Sequence, residues 1–112
     1  MAERVELNFL LTEGEHGWCA RCLEYDFVTQ ANTLGDLAFE IQRTVVAHMA
    51  IGAELGRRPF EGLKRAADEY WELFKRSPLK LQPTEVTVRA ISRAARDLPT
   101  PELKELRVAA AN

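Results

Sequence analysis

From Trp18 to Met49 the chain reads WCARCLEYDFVTQANTLGDLAFEIQRTVVAHM, and this stretch constrains the fold more than any other. Two short runs of β-type residues flank a tight Tyr25-Asp26 corner, and a long amphipathic run follows. Thr33 is a good helix N-cap, with Asp36 three residues later in the capping-box pattern. Leu34, Leu37, Ala38, Ile41, Val45, His48, Met49 and Leu55 then step by three and four residues, as in a helix that lays one stripe on a sheet. Gly56 is the natural stop for that helix.

Upstream, Val5, Leu7, Phe9 and Leu11 alternate with Arg4, Glu6, Asn8 and Leu10, the period of a strand with one buried face. Two glycines in the segment Glu13–Gly17 supply a turn. The spacing therefore predicts strands over Arg4–Thr12, Trp18–Leu23 and Phe27–Ala31, joined as an antiparallel meander. Downstream, Leu63, Ala67, Tyr70 and Phe74 again have helical spacing, from Pro59 to the Ser77-Pro78 stop. Residues 84–98 fit both a strand and a helix, and their Ala/Arg content favours helix. Leu103–Ala109 reads as a last strand pairing back into the sheet. The expected fold class is α+β: a two-layer β-β-β-α-β arrangement in which a long helix covers one face of an antiparallel sheet of three to four strands. Residues 1–56 form its core and residues 57–112 a helical extension with that last strand.

A chain of 112 residues suits one domain with a single core. At 46% hydrophobic and 29% charged it has a globular composition. The net charge of −2 offers no basic footprint for a phosphate backbone, so a nucleic-acid partner is not expected. Glu6 and Asn8 interrupt the apolar run near the N-terminus, unlike a signal peptide, and no stretch is long and apolar enough to span a membrane. With two cysteines and no such signal, a cytoplasmic protein with reduced thiols is expected.

Cys19 and Cys22 match C-x-x-C, but the reactive form of that motif opens a helix. On a strand, residues three apart point to opposite faces. Two strand cysteines are the better account than a redox pair or a zinc site completed by His16 and His48. Glu24, Asp26 and Asp36 crowd one corner and could hold a divalent metal. Asp36 is already accounted for at a helix N-terminus, and Glu24 and Asp26 fit an exposed turn. No glycine-rich phosphate loop or nucleophile elbow occurs, so no catalytic residue, metal or cofactor is assigned. Arg89, Arg93 and Arg96 would line one side of a helix, diluted by Asp97 and Glu102. Trp18, Tyr25, Phe27, Tyr70 and Trp71 remain as candidate partner anchors, because aromatics dominate interface hot spots.

The run Gly17–Met49 resembles the N-terminal domain of HicB-like antitoxins. There a strand beginning W-x-A/V leads to a short acidic-aromatic corner, then to T-x-G-x-T-x-x-E/D-A and a long helix. The matching residues are Trp18, Ala20, Leu23, Asp26, Thr29, Thr33, Asp36, Leu37 and Ala38. Tyr25-Asp26-Phe27 stands where the family often has Pro-Gly, and Ala31-Asn32 where it usually has Gly before the capping Thr. The resemblance implies a non-enzymatic protein that binds and blocks a small basic RNA-cleaving toxin. Homo-oligomers are expected because an open sheet leaves edges to protect, and the exposed third strand is a second candidate contact surface. The family's DNA-binding domain has no clear counterpart in residues 57–112, so a stand-alone member is expected. The alternatives are a metal-dependent nuclease remnant of a ribonuclease-H-like sheet, using Glu24, Asp26 and Asp36, and a transcriptional regulator using Arg89, Arg93 and Arg96.

Overall fold

The computed structural model describes residues 4–81 and 100–109. Its elements run β1 (Arg4–Gly14), β2 (Gly17–Cys22), β3 (Val28–Ala31), α1 (Leu34–Glu54), α2 (Asp68–Arg76), β4 (Leu79–Leu81) and β5 (Thr100–Val108). The reading of residues 84–98, with Arg89, Arg93 and Arg96, lies outside the described residues.

Among the described residues the sheet has five strands, in the order β3-β2-β1-β5-β4. The expected meander is present: β1 pairs antiparallel with β2, and β2 with β3. The expectation of an antiparallel sheet of three to four strands is corrected, because β5 runs parallel to β1 and the short β4 closes the far edge. Parallel pairing of β1 and β5 buries the central strand on both sides. Leu7, Phe9 and Leu11 of β1 join α1 in the main core through Leu37, Ile41, Val45 and Met49. Leu10 points the other way, into a second cluster with Leu23, Ala66 and Phe74. The two helices thus lie on opposite faces, where a two-layer fold with one covered face was expected.

Local chemistry explains α1. Thr33 is extended (φ −126°, ψ 160°), and its hydroxyl accepts the Asp36 backbone N–H at 3.1 Å, a standard N-cap. Gly56, at φ +67°, leads the chain out after Leu55. Leu55 itself is exposed and does not join the buried stripe. The second helix is shorter than the run from Pro59 suggests. It begins at Asp68, because the chain before it is tied to the sheet: Ala66 N–H donates to Leu23 O at 2.9 Å. Asp68 and Glu69 at its start and Lys75 and Arg76 at its end complement the helix dipole. The helical extension expected over residues 57–112 therefore contains, among the described residues, one nine-residue helix and two strands.

Candidate functional site

The five aromatics singled out from the sequence fall in different places. Trp18 pairs with Ala31 across β2 and β3 and is half-buried at the rim of the main core. Tyr25 and Phe27 flank the corner between those strands, on the α1 face. Tyr70 and Trp71 lie on α2, against the opposite face of the sheet. No single surface gathers all five.

The corner is built by backbone bonds. Cys22 N–H donates to Phe27 O and Asp26 N–H donates to Cys22 O, each at 2.9 Å. Asp26 adopts φ +51°, a left-handed conformation that Asp tolerates better than most residues, and its carboxylate accepts from Arg21. The turn delivers Tyr25 and Phe27 to Phe60, from the loop after α1. Tyr25 stacks on Phe60 with centroids 4.6 Å apart and planes 11° from parallel. Phe27 lies parallel to Phe60 at 5.6 Å and meets Phe9 edge-on at 5.8 Å. His48 tilts against both Phe27 and Phe60, at 4.9 and 5.4 Å. Burial lowers the His48 pKa and raises that of Tyr25, which the nearby Cys22 and Glu24 push further in the same direction. Phe60 is itself in the left-handed region at φ +61°, which costs a bulky residue about 1–3 kcal/mol. Sequence reasoning missed Phe60, whose local signal is only its place after Pro59.

Tyr70 and Trp71 are engaged with arginines. The Arg21 guanidinium lies 4.1 Å above the Tyr70 ring, and that of Arg65 lies 4.4 Å above Trp71. Arg107 of β5 stacks on Phe74 at 4.6 Å and donates to Phe74 O and Lys75 O, capping the end of α2. The Arg21 and Arg107 contacts fasten α2 to the sheet, and the Arg65 contact ties it to the preceding loop.

The acidic corner is dispersed. Glu24 accepts from Asn8, Asp26 from Arg21, and Asp36 sits in the first turn of α1. Among the described residues no group of three His, Cys, Asp or Glu side chains could hold a metal ion. Cys19 is half-buried and Cys22 buried, and both thiols are free. Burial, reinforced by the Glu24 charge, pushes the Cys22 thiol up to about 12, against two lowering backbone hydrogen bonds. His16 lies far out on the hairpin tip, beside Glu15.

Val28 on β3, and Phe39 and Ile51 on α1, are large hydrophobic side chains left facing solvent. Phe39 and Glu40 border a shallow depression with Gln30, Ala31, Asn32 and Asp36, at the open edge of β3. No helix of the described residues is long and apolar enough to cross a membrane. Compared with family models, with curated proteins and with solved structures, the chain matches none of them.

Proposed function

We propose that this protein is a HicB-like module that acts in the cytoplasm by protein–protein contact, without catalysis or a cofactor, both with copies of itself and with a small basic RNA-cleaving toxin that it neutralises. One observation carries the reading. Among the described residues no strand pairs with the outer side of β3, and apolar side chains stand exposed beside it on β3 and α1. Open edges readily accept another chain. The element order β1-β2-β3-α1, with its Thr33 cap, agrees with the resemblance of Gly17–Met49 to the antitoxin domain. A net charge of −2 favours encounter with a basic partner. Trp18, beside the edge, is the aromatic best placed to touch a partner. Tyr25 and Phe27 shape the corner behind it, while Tyr70 and Trp71 brace α2.

The nuclease alternative draws on Glu24, Asp26 and Asp36, and the separate partners of these carboxylates give it no metal-binding group among the described residues. Co-expression with the chromosomal neighbours, followed by size-exclusion chromatography with light scattering, tests the toxin reading. A complex with a small basic protein is expected, and Trp18→Ala is expected to weaken it about tenfold. Elution of the chain without any neighbour would overturn that reading.

A further inference from the structure

We propose that a second copy of this chain adds antiparallel to β3 about a two-fold axis at Thr29, so that one sheet continues through both protomers and the α1 helices pack side by side. The inference deepens the self-association part of the reading above and does not depend on the toxin.

The backbone selects the register. Cys22 N–H donates to Phe27 O, and the pairing continues as Ala20 with Thr29 and Trp18 with Ala31. Bonded and non-bonded pairs alternate along an antiparallel ladder, so Phe27, Thr29 and Ala31 turn their backbone groups inward to β2. Those of Val28 and Gln30 point out of the sheet. A two-fold axis at Thr29 sets Val28 of one copy opposite Gln30 of the other, twice over, and satisfies both outward N–H groups and both outward carbonyls on each chain. A shift of register toward either end leaves some of them unpaired.

The two sheet edges are treated differently by the sequence. At β4, Pro78 precedes a three-residue strand that carries Lys80, which pairs with Glu105. Short length, proline and lysine are the devices that keep an edge from pairing. The strand Val28-Thr29-Gln30-Ala31 contains none of the charged or proline guards, and Val28 is 40% exposed.

The helix above β3 obeys the same axis. Thr44 Oγ1 lies 3.4 Å from Thr29 Oγ1, which sets Thr44 level with the axis. Glu40, Thr44, Ala47 and Ile51 step by four, three and four residues along the flank over the open edge. Antiparallel pairing of two such flanks places Thr44 against Ala47 and Glu40 against Ile51 of the other copy. Its midpoint lies about 2 Å along the helix from Thr44, at a rise of about 1.5 Å per residue. Small side chains meet at the crossing, and Ile51, 57% exposed in one chain, is covered. Arg43 Nε stands 3.7 Å from Glu40 Oε2, so acid and base balance on each flank and the copies meet without like-charge repulsion. Because α1 packs over both β2 and β3, its axis stands roughly half a strand spacing inside β3. Two copies then separate their helices by about 9–10 Å, the usual distance for packed helices.

Sedimentation equilibrium on the full chain tests the proposal. The expected mass is twice the 12.7 kDa of one chain. Gln30→Pro removes an outward N–H and no bond to β2, after a residue that is already extended. It is expected to weaken association at least tenfold with an unchanged circular dichroism spectrum. Ala47→Arg, on an exposed helix position, is expected to do the same by filling the crossing, and it supplies the answer if the proline variant fails to fold. A wild-type chain that stays at monomer mass at millimolar concentration overturns the proposal. So does a dimer that folded Gln30→Pro or Ala47→Arg leaves at full strength. Either result leaves the co-expression experiment untouched.

Discussion

Glu24 replaces a strand carbonyl for Asn8. Leu23 N–H donates to Asn8 O at 2.9 Å, as the β1–β2 ladder requires, but Leu23 O is taken by Ala66 N–H. The Asn8 backbone N–H donates instead to Glu24 Oε1 at 2.8 Å, and Asn8 Nδ2 donates to Glu24 Oε2 at 2.6 Å. One carboxylate thus frees the end of the ladder to hold the segment that leads into α2. Glu24→Ala is expected to destabilise the fold by about 1–3 kcal/mol, the cost of leaving part-buried donors unpaired. Urea unfolding of the variant and the parent checks this, and an unchanged midpoint would refute the substitution of carboxylate for carbonyl.

Cys22 makes the protein labile in alkali. Its thiol is pushed up from 9.0 to about 12, so the folded chain holds the neutral form that the unfolded chain gives up first. The stability tied to this group is fully present below pH 9.0 and is lost as the pH rises toward about 12. Tyr25, also raised, adds in the same direction. Urea midpoints are expected to fall across that range. At neutral pH a thiol reagent is expected to modify Cys19 in the folded protein and Cys22 only on unfolding, and equal rates for the two would contradict the burial of Cys22.

His48 works on the acid side. Its pKa is lowered from 6.5 by burial against Phe27 and Phe60, so the unfolded chain binds the proton more readily. The stability contributed by the neutral ring is present above pH 6.5 and is lost as the pH falls through the depressed folded value. His48→Leu is expected to flatten the pH dependence of the unfolding midpoint below pH 6.5. A slope equal to that of the parent would remove His48 as its source.

Gly17 cannot carry a side chain. Its φ is +135°, and a Cβ there would stand 2.4 Å from Ala31 O on β3. Gly17→Ala is expected to cost more than about 1 kcal/mol and to loosen the pairing of β3. Gly35→Ala provides the contrast, since a Cβ in that first turn of α1 meets nothing within 4 Å. It is expected to raise stability by up to about 1 kcal/mol. Thermal unfolding of both variants measures the difference, and similar melting temperatures would argue against the close approach at Gly17.

Much of the chain was legible in its sequence because the relevant physics is local. The alternation of β1, the glycine turn before β2, the Thr33 cap and the Gly56 stop each depend on residues within one or two turns of one another. The last strand was expected over Leu103–Ala109, and it runs over Thr100–Val108. The candidate aromatics were less so. Residue type marks Tyr25, Phe27, Tyr70 and Trp71 as valuable, but it does not say whether a ring will meet a partner or a neighbour in its own chain. Phe60 and Arg21 decided that, from far along the sequence.

By itself, the sequence determined which residues share a face of each strand and where α1 begins and ends, since period and capping are written in near neighbours. Only the tertiary structure decided that β5 runs parallel beside β1 and that α2 starts at Asp68. It also decided that β4 is the other edge among the described residues. Leu10, on the polar parity of β1, was the visible sign of burial on both faces. The physical reason is that period two assigns side chains to faces and is silent about which strand lies alongside. That choice is made by burial and hydrogen bonding summed over residues distant in the chain.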